Sequence, residues 1–347
     1  AALHLAIITL MGAGSHIVAS AALYGGSPNL LAYTLPRFGI ETTFVDPRDP
    51  QAFANAIQDN TRLVFGETLG NPSLDVLNIP AIAEVAHAAG LPLMVDSTTT
   101  TPYLIKPFEL GADIIQHSAT KFLSGHGIVI GGLLVDSGQF DWEASGKFPT
   151  LSEPYEGFHN LIFTEEFGPA AMIQRARKEG LRDFGACMAP ISAFHILQGI
   201  ETLSVRMSRH VENTRTITSF LLEQEQVTRV GYPELDGHPD QALATQLLPN
   251  GCGAVFSFDL AGGREAGIAF VDALSVFSHL ANIGDAKSLV IHPASTTHHR
   301  MDAEALAAGG IGEGTIRLSI GLEDPKDLIA DLKQGLRAAG KAAGGRR

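Results

Sequence analysis

Two short apolar runs constrain this chain most: Leu91-Pro92-Leu93-Met94-Val95, ending in Asp96-Ser97-Thr98, and Ala112-Asp113-Ile114-Ile115-Gln116-His117, ending in Ser118. Runs this short, apolar throughout and closed by turn-forming residues, predict strands buried on both faces of a parallel sheet. The same pattern fills the first 135 or so of the 347 residues. Strands are predicted at 16–20, 42–45 and 62–65, and helices at 1–11, 51–57 and 80–89. Ser27-Pro28 and Asp49-Pro50 each offer a capping side chain followed by proline at the first helical position, and Gly90 closes the third helix. Strand and helix in alternation predict an α/β fold with a mostly parallel sheet. From 141 to 224 the signals are helical, with long helices predicted at 190–203 and 205–222. Beyond Arg229 come strands at 254–260, 288–292 and 315–320 and a last helix at 325–339, ahead of a frayed tail. This predicts a large domain over 1–204 and a smaller C-terminal α+β domain over 205–347.

In open sheets of this kind ligands bind at the carboxyl ends of the strands, so Asp96 and Ser118-Ala119-Thr120-Lys121 are expected at one edge. An isolated aspartate after a strand usually caps a loop, and an isolated lysine is usually solvated. Together with two hydroxyls they suit one group, pyridoxal 5'-phosphate. Lys121 can form a Schiff base with an aldehyde, and Ser118 and Thr120 can hold a phosphate. Asp96 can keep a pyridine nitrogen protonated, a preference of roughly 1–3 pKa units. The protonated ring is the electron sink for carbanion chemistry. The glycine-rich stretch from Gly125 to Gly132 lets the backbone pass close to such a group.

Val95-Asp96-Ser97-Thr98, His117-Ser118-Ala119-Thr120-Lys121 and Gly125-His126-Gly127 resemble the cofactor signature of the Cys/Met-metabolism pyridoxal-phosphate enzymes. The similarity runs from Ala1 to about Ala339 and implies the fold type I transferase architecture. Asn282-Ile283-Gly284-Asp285-Ala286-Lys287-Ser288-Leu289, with His292-Pro293-Ala294-Ser295-Thr296-Thr297-His298, resembles the O-acetylhomoserine sulfhydrylase branch more than the cystathionine synthases or lyases. That branch implies γ-replacement on O-acetyl-L-homoserine by sulfide or a thiol, giving homocysteine and acetate. Cystathionine γ-synthase-like or methionine γ-lyase-like chemistry, or an inactive truncated fragment, are the alternatives.

The resemblance also implies roles. Tyr24, in Tyr24-Gly25-Gly26, would stack on the cofactor ring and help move protons at the leaving group, and Thr98 would join the cofactor ligands. Asn71, in Glu67-Thr68-Leu69-Gly70-Asn71-Pro72, would donate to the ring oxygen or the substrate carboxylate. Arg317, in Gly314-Thr315-Ile316-Arg317-Leu318-Ser319-Ile320-Gly321, would fork onto the α-carboxylate, assisted by Ser288. Strand alternation puts Thr315, Arg317 and Ser319 on one face. Ser97 departs from the family's usual asparagine. A phosphate loop and a partner-reaching arm precede the first helix in the family, so the start is expected to be truncated. The family further implies a homotetramer built from dimers.

Other classes are disfavoured. A net charge of −13 without a basic stripe argues against nucleic acid. No apolar run nears the ~20 residues of a membrane span, and no secretory signal opens the chain. Two cysteines, Cys187 and Cys252, without CxxC spacing suit a reducing cytoplasm. His292, His298 and His299 match no zinc pattern, so no metal is expected. Gly-x-Ser-x-Gly is absent, and Gly12-Ala13-Gly14 is too short for a dinucleotide fingerprint.

Overall fold

A computed structural model of the protein describes residues 1–70, 74–297, 299 and 310–344. Its first sheet has the order β2-β1-β3-β4-β5-β6, formed by β1 (His16–Ser20), β2 (Glu41–Val45), β3 (Thr61–Glu67), β4 (Leu93–Asp96), β5 (Ile114–Ser118) and β6 (Gly132–Asp136). The first five strands run parallel, and β6 joins β5 antiparallel at the edge. Strand interiors follow the predicted burial: all of β1 and β4 is buried, while the edge strand β2 is largely half-exposed.

Alternation divides the sheet between two cores. Ile17, Leu63, Phe65 and Met94 face the helix Ala2–Leu10 and the aromatic packing around Trp142, Phe148 and Phe163. Val18, Val64 and Val95 face the helix Ile79–Ala88 and a core that continues without a break into the second sheet. That sheet has the order β7-β8-β11-β10-β9: β7 (Val227–Gly231), β8 (Val255–Leu260), β9 (Ser278–His279), β10 (Leu289–Ile291) and β11 (Thr315–Ser319). It is antiparallel except where β9 pairs with β10.

The helix Leu203–Leu222 spans the expected division at 204/205 and packs on both sheets' surroundings. Asp49 caps its helix as expected, its side chain accepting from the Gln51 N–H. Ser27 does not. Gly25 is already in the right-handed helical region, so the helix opens at Gly26 and Ser27 lies inside it. The last helix runs from Pro325 to Gly344 rather than ending near 339. Ala339 is buried in the core, and alanines at 342 and 343 carry the helix past Gly340. Among the described residues, no helix is long and apolar enough to cross a membrane.

Candidate active site

Four parallel strands end along one edge of the first sheet, and their last residues are Ser20, Glu67, Asp96 and Ser118. A cavity of about 880 Å³ opens there, within the range of ligand sites. Tyr24, Asp96, Thr98, Ser118, Thr120 and Lys121 line it from the first sheet, and Arg317 lines it from β11. Asn71 lies outside the described residues. Ser288 is not at the cavity. It is fully buried, and its hydroxyl donates to Glu323 (2.9 Å) and accepts from the Gly321 N–H (2.8 Å). The expectation that Ser288 assists at the substrate is therefore corrected. The tight loop after β11 consumes both of its hydrogen-bonding directions.

Asp96 is held from two sides. The Thr98 hydroxyl and N–H donate to Oδ1, and Gln116 donates to Oδ2 at 2.9 Å. The Thr98 hydroxyl also accepts from the Ser118 N–H at 2.8 Å, tying β4 to the start of the lysine turn. Burial pushes the Asp96 carboxyl up to about 6, against the hydrogen bonds from Thr98. Glu67 stands beside it, in register on β3. Burial, then the charge of Asp96, raises Glu67 well above the carboxylate range, although its Oε1 accepts the Tyr24 N–H at 2.7 Å. Ser97, the departure from the family pattern, turns away. It is fully buried, its hydroxyl 2.8 Å from that of Thr100 and its carbonyl accepting from His117 Nδ1 at 3.1 Å.

Opposite the carboxyls lie two cations. Burial, then Arg317, lowers the pKa of Lys121, so its amine loses its proton more readily than a solvated lysine. Burial brings Arg317 down to about 10, with Tyr24 opposing. Asn282 joins the two: Lys121 Nζ donates to its Oδ1, and Arg317 Nη2 reaches its carbonyl at 3.4 Å. Tyr24 is 54% exposed, which makes it a cavity-wall residue rather than a core tyrosine.

These residues fit pyridoxal phosphate. A buried carboxyl whose ionised form lacks solvation calls for a cation, and a protonated pyridine nitrogen is one. Ser118, Thr120 and the first turn of the helix Ala2–Leu10 share the wall, and helix N-termini with hydroxyls suit a phosphate.

Among the cavity residues to which the sequence assigns no role, Gln116, Glu67 and Asn282 touch the predicted ones. Gln116 had a signal, since alternation on β5 places it on the face of Ser118. Glu67 stood in a motif read for its asparagine. Asn282 lies in a loop, where no periodicity marks a direction.

A family model described as Cys/Met metabolism PLP-dependent enzyme matches residues 1–337. The chain is 46% identical over 342 residues to the O-acetyl-L-homoserine sulfhydrylase of Leptospira meyeri, an overlap of 96% of this chain and 77% of that protein. It is 47% identical over 340 residues to the homocysteine synthase of Schizosaccharomyces pombe, covering 97% and 79%. A solved O-acetylhomoserine sulfhydrylase of Wolinella succinogenes superposes with a TM-score of 0.84 at 36% identity, covering 96% of this chain and 88% of that one. A Campylobacter jejuni structure carrying N'-pyridoxyl-lysine-5'-monophosphate gives a TM-score of 0.91 at 35% identity, covering 97% and 80%.

Proposed function

The chain belongs to the Cys/Met metabolism PLP-dependent enzyme family, and from that premise we propose an O-acetylhomoserine sulfhydrylase. It replaces the acetoxy group of O-acetyl-L-homoserine with sulfide. The Cγ–O bond breaks, acetate leaves with the electron pair, and a Cγ–S bond forms to give homocysteine. The observation that carries this reading is the convergence of Lys121, Asp96 and Arg317 on one cavity in a chain 46% identical to an O-acetyl-L-homoserine sulfhydrylase and 47% identical to a homocysteine synthase.

When bound, pyridoxal phosphate supplies the electron sink that stabilises negative charge at Cα. The protein's own residues do the rest. Asp96, fixed by Thr98 and Gln116, would keep the ring nitrogen protonated. Lys121 would hold the cofactor through its amine and would take the Cα proton; burial, then Arg317, lowers its pKa in the direction that a proton acceptor needs. Ser118 and Thr120 hold the phosphate, and Asn71 donates to the ring oxygen or the substrate carboxylate. Tyr24 covers the ring and serves protons near the leaving group. Arg317 grips the α-carboxylate as a fork, which orients the bonds that break.

We further assign a dimer-based homotetramer. Ile191, Phe194 and Leu197 stand 54–61% exposed along the helix Pro190–Glu201, beside Ile128 and Ile130 at 63% and 85%. Such an apolar face suits burial against a second copy. Two unbridged cysteines, Cys187 exposed and Cys252 buried, support a cytoplasmic setting.

The test is acetate release from O-acetyl-L-homoserine with pyridoxal phosphate, with and without sulfide. Sulfide-dependent release matched mole for mole by homocysteine is the expected result. Release without sulfide, yielding a keto acid, would replace this reading with a lyase.

A further inference from the structure

Lys121 and Arg317 come from different sheets, yet the proposed chemistry needs them at a fixed separation. The helix Leu203–Leu222 touches the surroundings of both. We propose that this helix sets the spacing between the reactive lysine and the carboxylate anchor, with Arg206, His210 and Asn213 as its positioning residues. The proposal rests on the roles given to Lys121 and Arg317 above.

The three residues recur at helical spacing along one buried face. At the lysine end, Arg206 is 6% exposed and enters no ion pair among the described residues. Its guanidinium instead donates to three backbone carbonyls: Phe122 at 2.8 Å, Leu123 at 3.3 Å and Gly199 at 2.6 Å. Phe122 and Leu123 directly follow Lys121, and Gly199 belongs to the preceding helix. The fit is close. A Cβ on Gly125 would stand 2.0 Å from Arg206 Nη1, and one on Gly199 would stand 2.3 Å from the Ser124 carbonyl.

At the anchor end, His210 Nδ1–H donates to the Ile320 carbonyl at 2.7 Å. Asn213 Nδ2 donates to the Gly321 and Glu323 carbonyls at 3.0 and 2.9 Å. Those carbonyls lie just past β11, the strand that carries Arg317. The His210 ring also meets Phe122 edge-on with centroids 5.2 Å apart, so the two ends share a contact.

This stripe is a poor stabiliser. His210 Nε2 and Asn213 Oδ1 are buried with no partner among the described residues, and each such atom forfeits its hydration without recompense. A buried cation facing carbonyl dipoles and the Thr202 hydroxyl (3.2 Å), with no carboxylate among the described residues, adds its own desolvation. What the stripe does supply is direction: Arg206 aims its donors at the carbonyls after Lys121, and His210 and Asn213 aim theirs at the carbonyls just past β11, so each end of one helix is tied to one end of the site.

The test separates the two ends. Arg206→Lys keeps the charge, but an ammonium cannot reproduce the planar fork. It is expected to lower kcat by about 10–100-fold and to speed cofactor dissociation, with KM for O-acetylhomoserine within about threefold. His210→Phe keeps the ring and loses the donor to Ile320. It is expected to raise KM by about 10-fold, with kcat within about threefold and cofactor dissociation unchanged. Asn213→Ala should repeat the His210 pattern, so the argument does not hang on one variant folding well. If the variants at both ends lower the melting temperature and the active fraction without a kcat-against-KM split, the helix is merely structural and the proposal fails. Lys121→Ala and Arg317→Ala are run alongside. If borohydride still fixes the cofactor to Lys121→Ala, or Arg317→Ala leaves KM unchanged, the site reading falls first and takes the spacing proposal with it.

Discussion

The two corners of the site are built differently. Asp96 draws every polar contact from its own sheet: Thr98 two residues on, and Gln116 on the adjoining strand. Arg317 arrives from the second sheet, and its partner Asn282 sits in a loop. A corner made within one sheet is organised as soon as the strands pair. A corner made across two sheets is only as accurate as the elements joining them. Damage to the first should therefore change how the cofactor is held, and damage to the second how the substrate is held.

The largest expected effect is at the first corner. Lys121→Ala should cost at least about 10⁴-fold in kcat, since the residue both holds the cofactor and moves the proton. Borohydride should then fix no cofactor to the protein. Next comes the second corner. Arg317→Ala should raise KM for O-acetylhomoserine by about 10²–10³-fold, the scale of losing one partner of a desolvated charge pair. Cofactor content, read from visible absorbance, should stay at the wild-type level. If Arg317→Ala instead loses cofactor, the two corners are not separable and the comparison breaks.

The same contrast governs what was legible in the sequence. The Asp96 corner could be read almost whole, because two short apolar runs place their terminal residues at one edge of a parallel sheet. Gln116 was within reach of that logic. The Arg317 corner could be read only in part. Alternation on β11 gave Arg317 its face, but which loop meets it is decided by packing between sheets, which leaves no periodic trace. Ser288 shows why: its place beside a motif implies a ligand, but tertiary structure spends its hydroxyl on Glu323 and Gly321. Ser27 failed for a local reason, since Gly25 and Gly26 let the helix begin a turn position earlier.

A third test uses proton linkage at the first corner. The Asp96 carboxyl is raised from 3.8 to about 6 in the cofactor-free fold, chiefly by burial. The folded state therefore holds this proton more tightly than the unfolded chain. Its stabilising contribution is present below about pH 4 and is lost as pH rises through about 6. Two units correspond to about 3 kcal/mol. Glu67, raised in the same direction, adds to the trend. A ring cation beside Asp96 restores what is lost. The gain in melting temperature on adding pyridoxal phosphate should thus be larger at pH 7.5 than at pH 5, and Asp96→Asn should flatten the difference. Equal gains at both pH values in the wild type would show that no cation docks at Asp96.

The smallest effect is expected at Ser288, which sharpens the comparison because it lies near the second corner without touching the cavity. Ser288→Ala leaves the Gly321 N–H without its acceptor and Glu323 without one donor, costing about 1–3 kcal/mol. The loss should appear as a lower melting temperature, with KM for O-acetylhomoserine within about twofold, because Arg317 still hangs on β11 and its pairing with β8 and β10. A substrate ligand would behave in the opposite way, raising KM while the melting temperature held. The ratio of the two changes, rather than the size of either, distinguishes a residue that holds the loop from one that holds the substrate.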